Sequence, residues 1–532
     1  MNRINYLDNS SIIGIMVVLF FITSCNLNND ISPKEYPQES NYFDTKEPMT
    51  VLGKQKENPY SVENMQKALK NLASNGKGVE VDIVTTDLYI RFLPKDFEEL
   101  KNLYIDPKLD LWDIPLDREI EIMGSYYHDP TIPDNLPTYQ YTVVKPDYTN
   151  PKVEYEILAE LFLPNSYDAN NIGGRTSNEY LSGLENEALR ITGNLDQEVG
   201  STTGGRVEAN WRSEGTVRVS EVVRQVTSRV STGNLLPVIN VKVKAKRFFN
   251  LSNAYTNTNG FYRLGEFGGK VDYNMEFESD RVKITDFFGF SRNYGGPSNT
   301  LSGWSPTFYY WGEGWANSTV LNAAYKCRMQ VNQKGLQTPF PTSFWAGGDA
   351  IDKLNIRTKF EDGTGDMYDV RLNEIRIFTN WNGGKSTDEL YRVTFHELGH
   401  SMHYKLHNWN MASSNRLVRE SYADYIEHYF AIEYYPQVAS TTSRQTAYKT
   451  EALMEKGYTP VFIDLMDTDN QLTLHGGDRP NDNVQSYTFQ QIEAVLKKSN
   501  KLEEIRDNLK NDYNNTSEIH LDDLFDFYIP LQ

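Results

Sequence analysis

One stretch, Ser386–Phe430, constrains its own folding more than any other part of the chain. It reads STDELYRVTFHELGHSMHYKLHNWNMASSNRLVRESYADYIEHYF. Residues four apart in a helix lie on the same face. His396 and His400 are so spaced, and so are Glu420 and Asp424. Ser386-Thr387-Asp388-Glu389 fits a capping box and predicts the start of the first helix, which runs on through Leu390, Val393 and Leu398. Five of the chain's eight histidines fall in this stretch: His396, His400, His403, His407 and His428. Two imidazoles on one helix face can share a metal ion, and Glu397 beside them is placed to take a proton from water. His403, His407 and His428 are expected to be bystanders, the first two exposed to solvent or held by local hydrogen bonds.

A chain of 532 residues exceeds one hydrophobic core, so three or four domains are expected. A formal charge of −19 opposes nucleic acid as a partner. The only cysteines are Cys25 and Cys327, which rules out a disulfide framework and a Cys-based zinc cluster. Any metal must therefore be held by His, Glu and Asp. Cys327 lies in a helical pattern and reads as a small buried hydrophobe.

Arg3 precedes an apolar run, Ile12–Ile22, of the length of a signal-peptide core and too short to span a bilayer. The run ends in Ile22-Thr23-Ser24-Cys25, which resembles the bacterial lipoprotein processing site. That resemblance implies a signal peptide over 1–25 and lipid (palmitate among it) on Cys25. It also implies a place in the cell envelope, at the outer membrane facing outward, with the membrane contacted through the lipid alone. The polar, Pro-containing residues 26–57 read as a flexible tether.

The folded body is expected to be multidomain α+β. Ser61 caps a helix over Val62–Ala73, Val79–Pro94 reads as one or two strands and Lys95–Tyr104 as a short helix, within a small N-terminal α+β domain at 58–168. Residues 169–214 are rich in Asn, Gly, Ser and Thr and read as a linker with room for one short helix. Leu236–Ala245 alternates apolar and polar residues, Thr256–Tyr262 turns at Gly260, and Val271–Phe277 alternates again. That order resembles the β-sandwich module found beside carboxypeptidases and implies such a domain at 215–291. From 292 to 532 the chain carries an aromatic run, Gly303–Trp315, read as core or loop packing. A helix capped at Asn317 or Ser318 follows, then a strand at Met367–Phe378 and the two helices above.

H-E-x-x-H alone is shared by several zinc peptidase groups. The metzincin pattern H-E-x-x-H-x-x-G-x-x-H fails, since His403 stands at the glycine position and Leu406 at that of the last histidine. Glu420, twenty residues after His400, with Asp424 four further on, resembles instead the gluzincin metallopeptidases. The resemblance implies a mainly helical zincin domain. One Zn2+ would be held by His396, His400 and Glu420, with Glu397 activating the zinc-bound water and Asp424 orienting the first histidine. Two candidates for stabilising the oxyanion stand open: Tyr487, at the start of the helix through Ile492 and Leu496, and His475 in LHGGDRP. An edge strand ahead of such a motif binds the substrate backbone in peptidases of this architecture, and Asn373–Phe378 is the candidate here. Tyr458–Gln471 and Val484–Leu496 also resemble zinc metallopeptidase lipoproteins of gut Bacteroidetes. The implied activity is hydrolysis of peptide bonds in extracytoplasmic proteins, peptides or glycoproteins, by an endopeptidase. The alternative is a surface lipoprotein that binds glycans or glycoproteins and keeps an inactive peptidase-like domain. The intact Glu397 weighs against that alternative.

Overall fold

The computed structural model describes residues 49–531, except 77–80, 107, 151, 168–176, 196–210, 226–227, 287–288, 341–352, 361–365, 370–373, 380–383, 408–413, 437–456 and 478. Cys25 and the signal sequence lie outside the described residues. No described helix is long and apolar enough to cross a membrane.

The first region contains β1 (Val51–Gln55), α1 (Val62–Ser74), β2 (Asp87–Phe92), α2 (Phe97–Ile105), β3 (Arg118–Ile122), β4 (Gln140–Val144), β5 (Tyr155–Leu161) and α3 (Ser177–Ile191). The Ser61 hydroxyl accepts from Asn64 N–H at 3.2 Å, so α1 starts where its cap predicts. β1 pairs with β3, so the expected tether yields to a strand before residue 57. The expected linker likewise contains α3, which sends Leu184, Ala188 and Leu189 into one core with Met65 and Ala68 of α1. The sheet of this region runs β4-β2-β5.

Strands dominate next: β6 (Trp211–Thr216), β7 (Arg218–Gln225), β8 (Ser228–Pro237), β9 (Lys242–Arg247), β10 (Asn250–Tyr255), β11 (Phe261–Phe267), β12 (Asp272–Glu276), β13 (Val282–Thr285), β14 (Asn293–Gly295) and β15 (Thr307–Phe308). They form sheets ordered β10-β9-β12-β14, β11-β6 and β15-β7-β8. Gly260 supplies the turn into β11 at φ 73°, with the carbonyl of Val217 where a Cβ would stand.

The last region holds α4 (Glu313–Lys334), β16 (Leu354–Lys359), β17 (Met367–Asp369), β18 (Glu374–Phe378), α5 (Thr387–Leu406) and α6 (Arg416–Ile432), then shorter helices including Phe489–Leu496 and Leu521–Tyr528. α4 begins at Glu313, a turn before the expected cap. Asn317 and Ser318 lie inside it, buried, and Asn317 Oδ1 accepts from the Thr358 hydroxyl at 2.7 Å. Cys327 is buried, as its helical setting predicts, and burial pushes its thiol up. In the aromatic run Phe308 and Trp315 are core, and the Trp315 indole donates to Ser220 O at 2.8 Å.

The expected boundary at 291–292 does not separate two cores. β13 pairs in parallel with β16 across it, and Val219, Val243, Tyr273, Phe395 and Tyr422 belong to one apolar cluster. The mixed sheet that precedes α5 runs β13-β16-β18-β17.

Candidate metal centre

Helix α5 is anchored at its N-terminus twice over. Its capping box forms, with Ser386 N–H donating to Glu389 Oε2 at 2.8 Å. Strand β7 then docks on the same turn: Val222 N–H donates to the Thr387 hydroxyl and Arg224 N–H to Asp388 Oδ1, each at 3.0 Å. The Glu389 carboxylate also receives Arg224 at 2.6 Å and Arg229 at 3.2 Å. The β-rich region thus fixes the axis and rotation of the helix that carries His396 and His400.

Helix α6, capped by Asn415 Oδ1 on Leu417 N–H at 2.8 Å, lies against α5. Gly399 makes that approach possible. A Cβ there would stand 2.9 Å from Ala423 Cα, closer than a side chain tolerates. Glu420 and Asp424 are therefore carried directly over the histidine pair.

The result is a buried cluster of His396, His400 and Glu420 that could hold a metal ion. Glu420 Oε2 lies 3.6 Å from His396 Nε2 and 3.4 Å from His400 Nε2. Two atoms that each ligate a tetrahedral zinc at about 2.0–2.1 Å stand about 3.4 Å apart, so the spacing fits. Both Glu420 oxygens and the His396 Nε2 are buried with no hydrogen-bond partner, which is costly unless a cation completes them. Burial opposes charge on His396, but Glu420 and Glu427 outweigh it and raise its pKa to about 10. Burial likewise works against the Glu420 carboxylate, yet the two imidazoles hold it far below the usual carboxylate range. Glu397 is buried beside them, and its charge also acts on His396.

Around the far nitrogen of His396 the arrangement is richer than expected. His396, Asp424 and Glu427 bring ligand-type atoms within 4.8 Å of one another. Glu427 Oε2 is 3.2 Å from His396 Nδ1, and its other oxygen pairs with Arg392, one turn before His396 on α5. Glu427, which the sequence reading passed over, thus shares with Asp424 the flank of the first histidine. The spacing Glu420-Asp424-Glu427, a helical i, i+4, i+7, was a signal for it.

Three other expectations change. His403 is fully buried and neither ring nitrogen has a hydrogen-bond partner; its ring lies 5.4 Å from that of Tyr422, and burial holds its pKa well below the usual range. His407 ends α5, half-buried, its backbone N–H bonded to His403 O. Glu374–Phe378 is no edge: β18 is paired on one side by β16 and on the other by β17, so among the described residues the edges are β13 and Met367–Asp369. Asn373 lies outside the described residues.

Tyr487 precedes the helix it was expected to open, Thr488 being the cap. Its phenol is buried without a hydrogen-bond partner and is pushed up to about 12 by burial and then by Glu518. Tyr458 reaches the cluster, with its ring centroid 5.8 Å from that of His396. The side chain of His475 lies outside the described residues. No family model matches the chain, and no curated protein matches it.

Proposed function

We propose that the protein is a zinc-dependent peptidase whose metal is held by His396, His400 and Glu420. The observation that carries this reading is the buried two-imidazole, one-carboxylate cluster at ligand spacing, with Glu397 on the same helix. Three protein ligands leave a fourth position for water or substrate, the mark of a catalytic site. Zinc bound there would polarise a scissile carbonyl and acidify water.

The chain's own residues supply the rest. Glu397 takes the proton from the attacking water and passes it to the leaving amine. Glu427 and Asp424 hold the His396 ring with Nε2 turned toward Glu420, and Arg392 holds Glu427. Tyr458, whose ring stands beside that of His396, is a phenol to donate to the developing oxyanion, alongside the candidate Tyr487. Among the described residues β17 pairs on one side alone, so its other side offers backbone groups to an extended peptide, and β17 neighbours α5. Lipid on Cys25 would keep the enzyme at the envelope, and Cys25→Ala should free it from the membrane fraction.

Metal analysis of purified protein, together with hydrolysis of an unfolded protein substrate, tests the reading. Zinc near one per chain and cleavage that vanishes in Glu397→Gln are expected. Cleavage by wild type no faster than by Glu397→Gln would refute a peptidase.

A further inference from the structure

Behind α6 lies a second set of buried carboxylates, outside the His–Glu cluster. Asp464, Gln471 and Asp482 belong to one stretch that folds back on itself, Asn470 Nδ2 donating to Asn481 Oδ1 at 2.9 Å, and they are 0%, 1% and 3% exposed. Asp464 ends the short helix Val461–Asp464. Its Oδ1 accepts from the Gln471 amide and its Oδ2 from the Tyr528 hydroxyl at 2.9 Å. Asp482 Oδ1 accepts from Val484 N–H at 2.9 Å. Two oxygens in this group are buried with no hydrogen-bond partner: Asp482 Oδ2 and Gln471 Oε1.

The charge balance points the same way. The largest charges acting on Asp464 are those of Asp482 and Asp467, both repulsive, and Asp467 also acts on Asp482. Burial and this repulsion push both buried carboxyls up. One carboxylate oxygen and one amide oxygen buried without partners, beside a second buried carboxylate, are unfavourable by themselves and favourable around a cation.

We propose that Asp464, Gln471 and Asp482 form a divalent-cation site of the calcium class. The donors are all oxygens, two carboxylates and an amide, which suits a hard ion and not zinc. Calcium accepts an adaptable shell of oxygens, whereas magnesium demands a near-ideal octahedron. The ion would tie the closing helix Leu521–Tyr528, through Tyr528, to the segment that lies on α6. That segment is joined to α6 by the Ser421–Thr459 hydroxyl pair at 2.9 Å and by Tyr425 on Met466 at 3.0 Å. It also carries Tyr458 to His396. Calcium here acts on stability and is independent of whether the first site is catalytic.

The test uses the whole protein, stripped by a chelator and reloaded with one equivalent of zinc. Calcium chloride is added at neutral pH, with binding followed by calorimetry and unfolding by heat. Saturable binding and a rise in unfolding midpoint of about 3 °C or more are expected. Magnesium should give a much smaller rise. Asp482→Asn should abolish the calcium response while leaving zinc content unchanged, and Gln471→Ala, a milder change, should weaken calcium affinity about tenfold. Wild type with neither heat nor shift overturns the proposal, as does a response undiminished in both variants. A protein indifferent to calcium and stabilised as pH falls from neutral would mean that the two carboxylates share a proton instead, which also overturns it.

Discussion

Buried charge is handled in opposite ways on β9 and at the metal centre. On β9, Lys242, Lys244 and Lys246 alternate with Val243 and Ala245, and all three ammonium groups are matched. Lys244 Nζ meets Glu276 at 2.9 Å, Asp110 at 3.0 Å and Leu111 O at 2.6 Å, over the Trp112 ring. Lys242 reaches Glu276 at 2.8 Å, and Lys246 reaches Asp272 at 3.2 Å. Cation and anion alternate, and the ladder joins the N-terminal region to the strands. At the candidate metal centre, ring nitrogens and carboxylate oxygens of His396, His400 and Glu420 lie within 4.8 Å of one another. A complete ladder is a structural joint; a convergence of ligand atoms calls for an ion.

The strongest way to break this contrast is at Glu397. Glu397→Gln should cut peptide hydrolysis by about 10²- to 10⁴-fold with zinc retained, measured as initial rate beside metal content. Loss of zinc in that variant would make Glu397 structural. On the ladder, Lys244→Met strands Asp110 and half of the Glu276 pairing. A loss of about 3 kcal/mol in denaturant unfolding is expected, with turnover per folded molecule unchanged. A proportionate fall in turnover would mean that the ladder tunes the site.

Between these extremes, Glu427→Gln keeps the shape beside His396 but removes the charge. It should weaken zinc about 10- to 100-fold in a competition titration with a chelator. An unchanged affinity would assign the role to Asp424 alone. Gly399→Ala forces α5 and α6 apart at Ala423 and should lower both zinc affinity and the unfolding midpoint; retention of both would show that the helices can separate at no cost.

The smallest expected effect is on pH dependence. Burial alone would raise the Glu276 pKa, but Lys242 and Lys244 outweigh burial and hold it below the usual value. A folded-state pKa below the unfolded one gives stability that is full above about pH 4.3 and is lost as pH falls through the folded value. Acid unfolding should therefore steepen below that pH in wild type, and less so in Glu276→Gln. Identical acid limbs would remove the ladder as the cause.

Much of the metal centre is legible in the chain because its information is local. The capping box and the His396–His400 pair each follow from helical spacing within one element, while Glu420 is implied by the gluzincin resemblance. Glu427 obeys the same spacing and was readable, but nothing local tells which of two acids meets the imidazole. Gly399 carries no signal by itself, since its need arises from Ala423 on another helix. The lysines of β9 look like a solvent face in an alternating strand, and only the arrival of Asp110–Trp112 from a distant region buries them.

The amino-acid order alone determined the two helices, the residues they present and the oxygen-and-nitrogen character of the site, because these depend on periodicity and side-chain chemistry. The tertiary structure decided the rest. It made one core of the strands and the two helices, put β17 and not β18 at the sheet edge, and brought Tyr458 beside His396. It also gathered Asp464, Gln471 and Asp482. The shared core and the Tyr458–His396 contact join residues far apart in the chain, and such meetings are set by how whole elements pack, which no local pattern encodes.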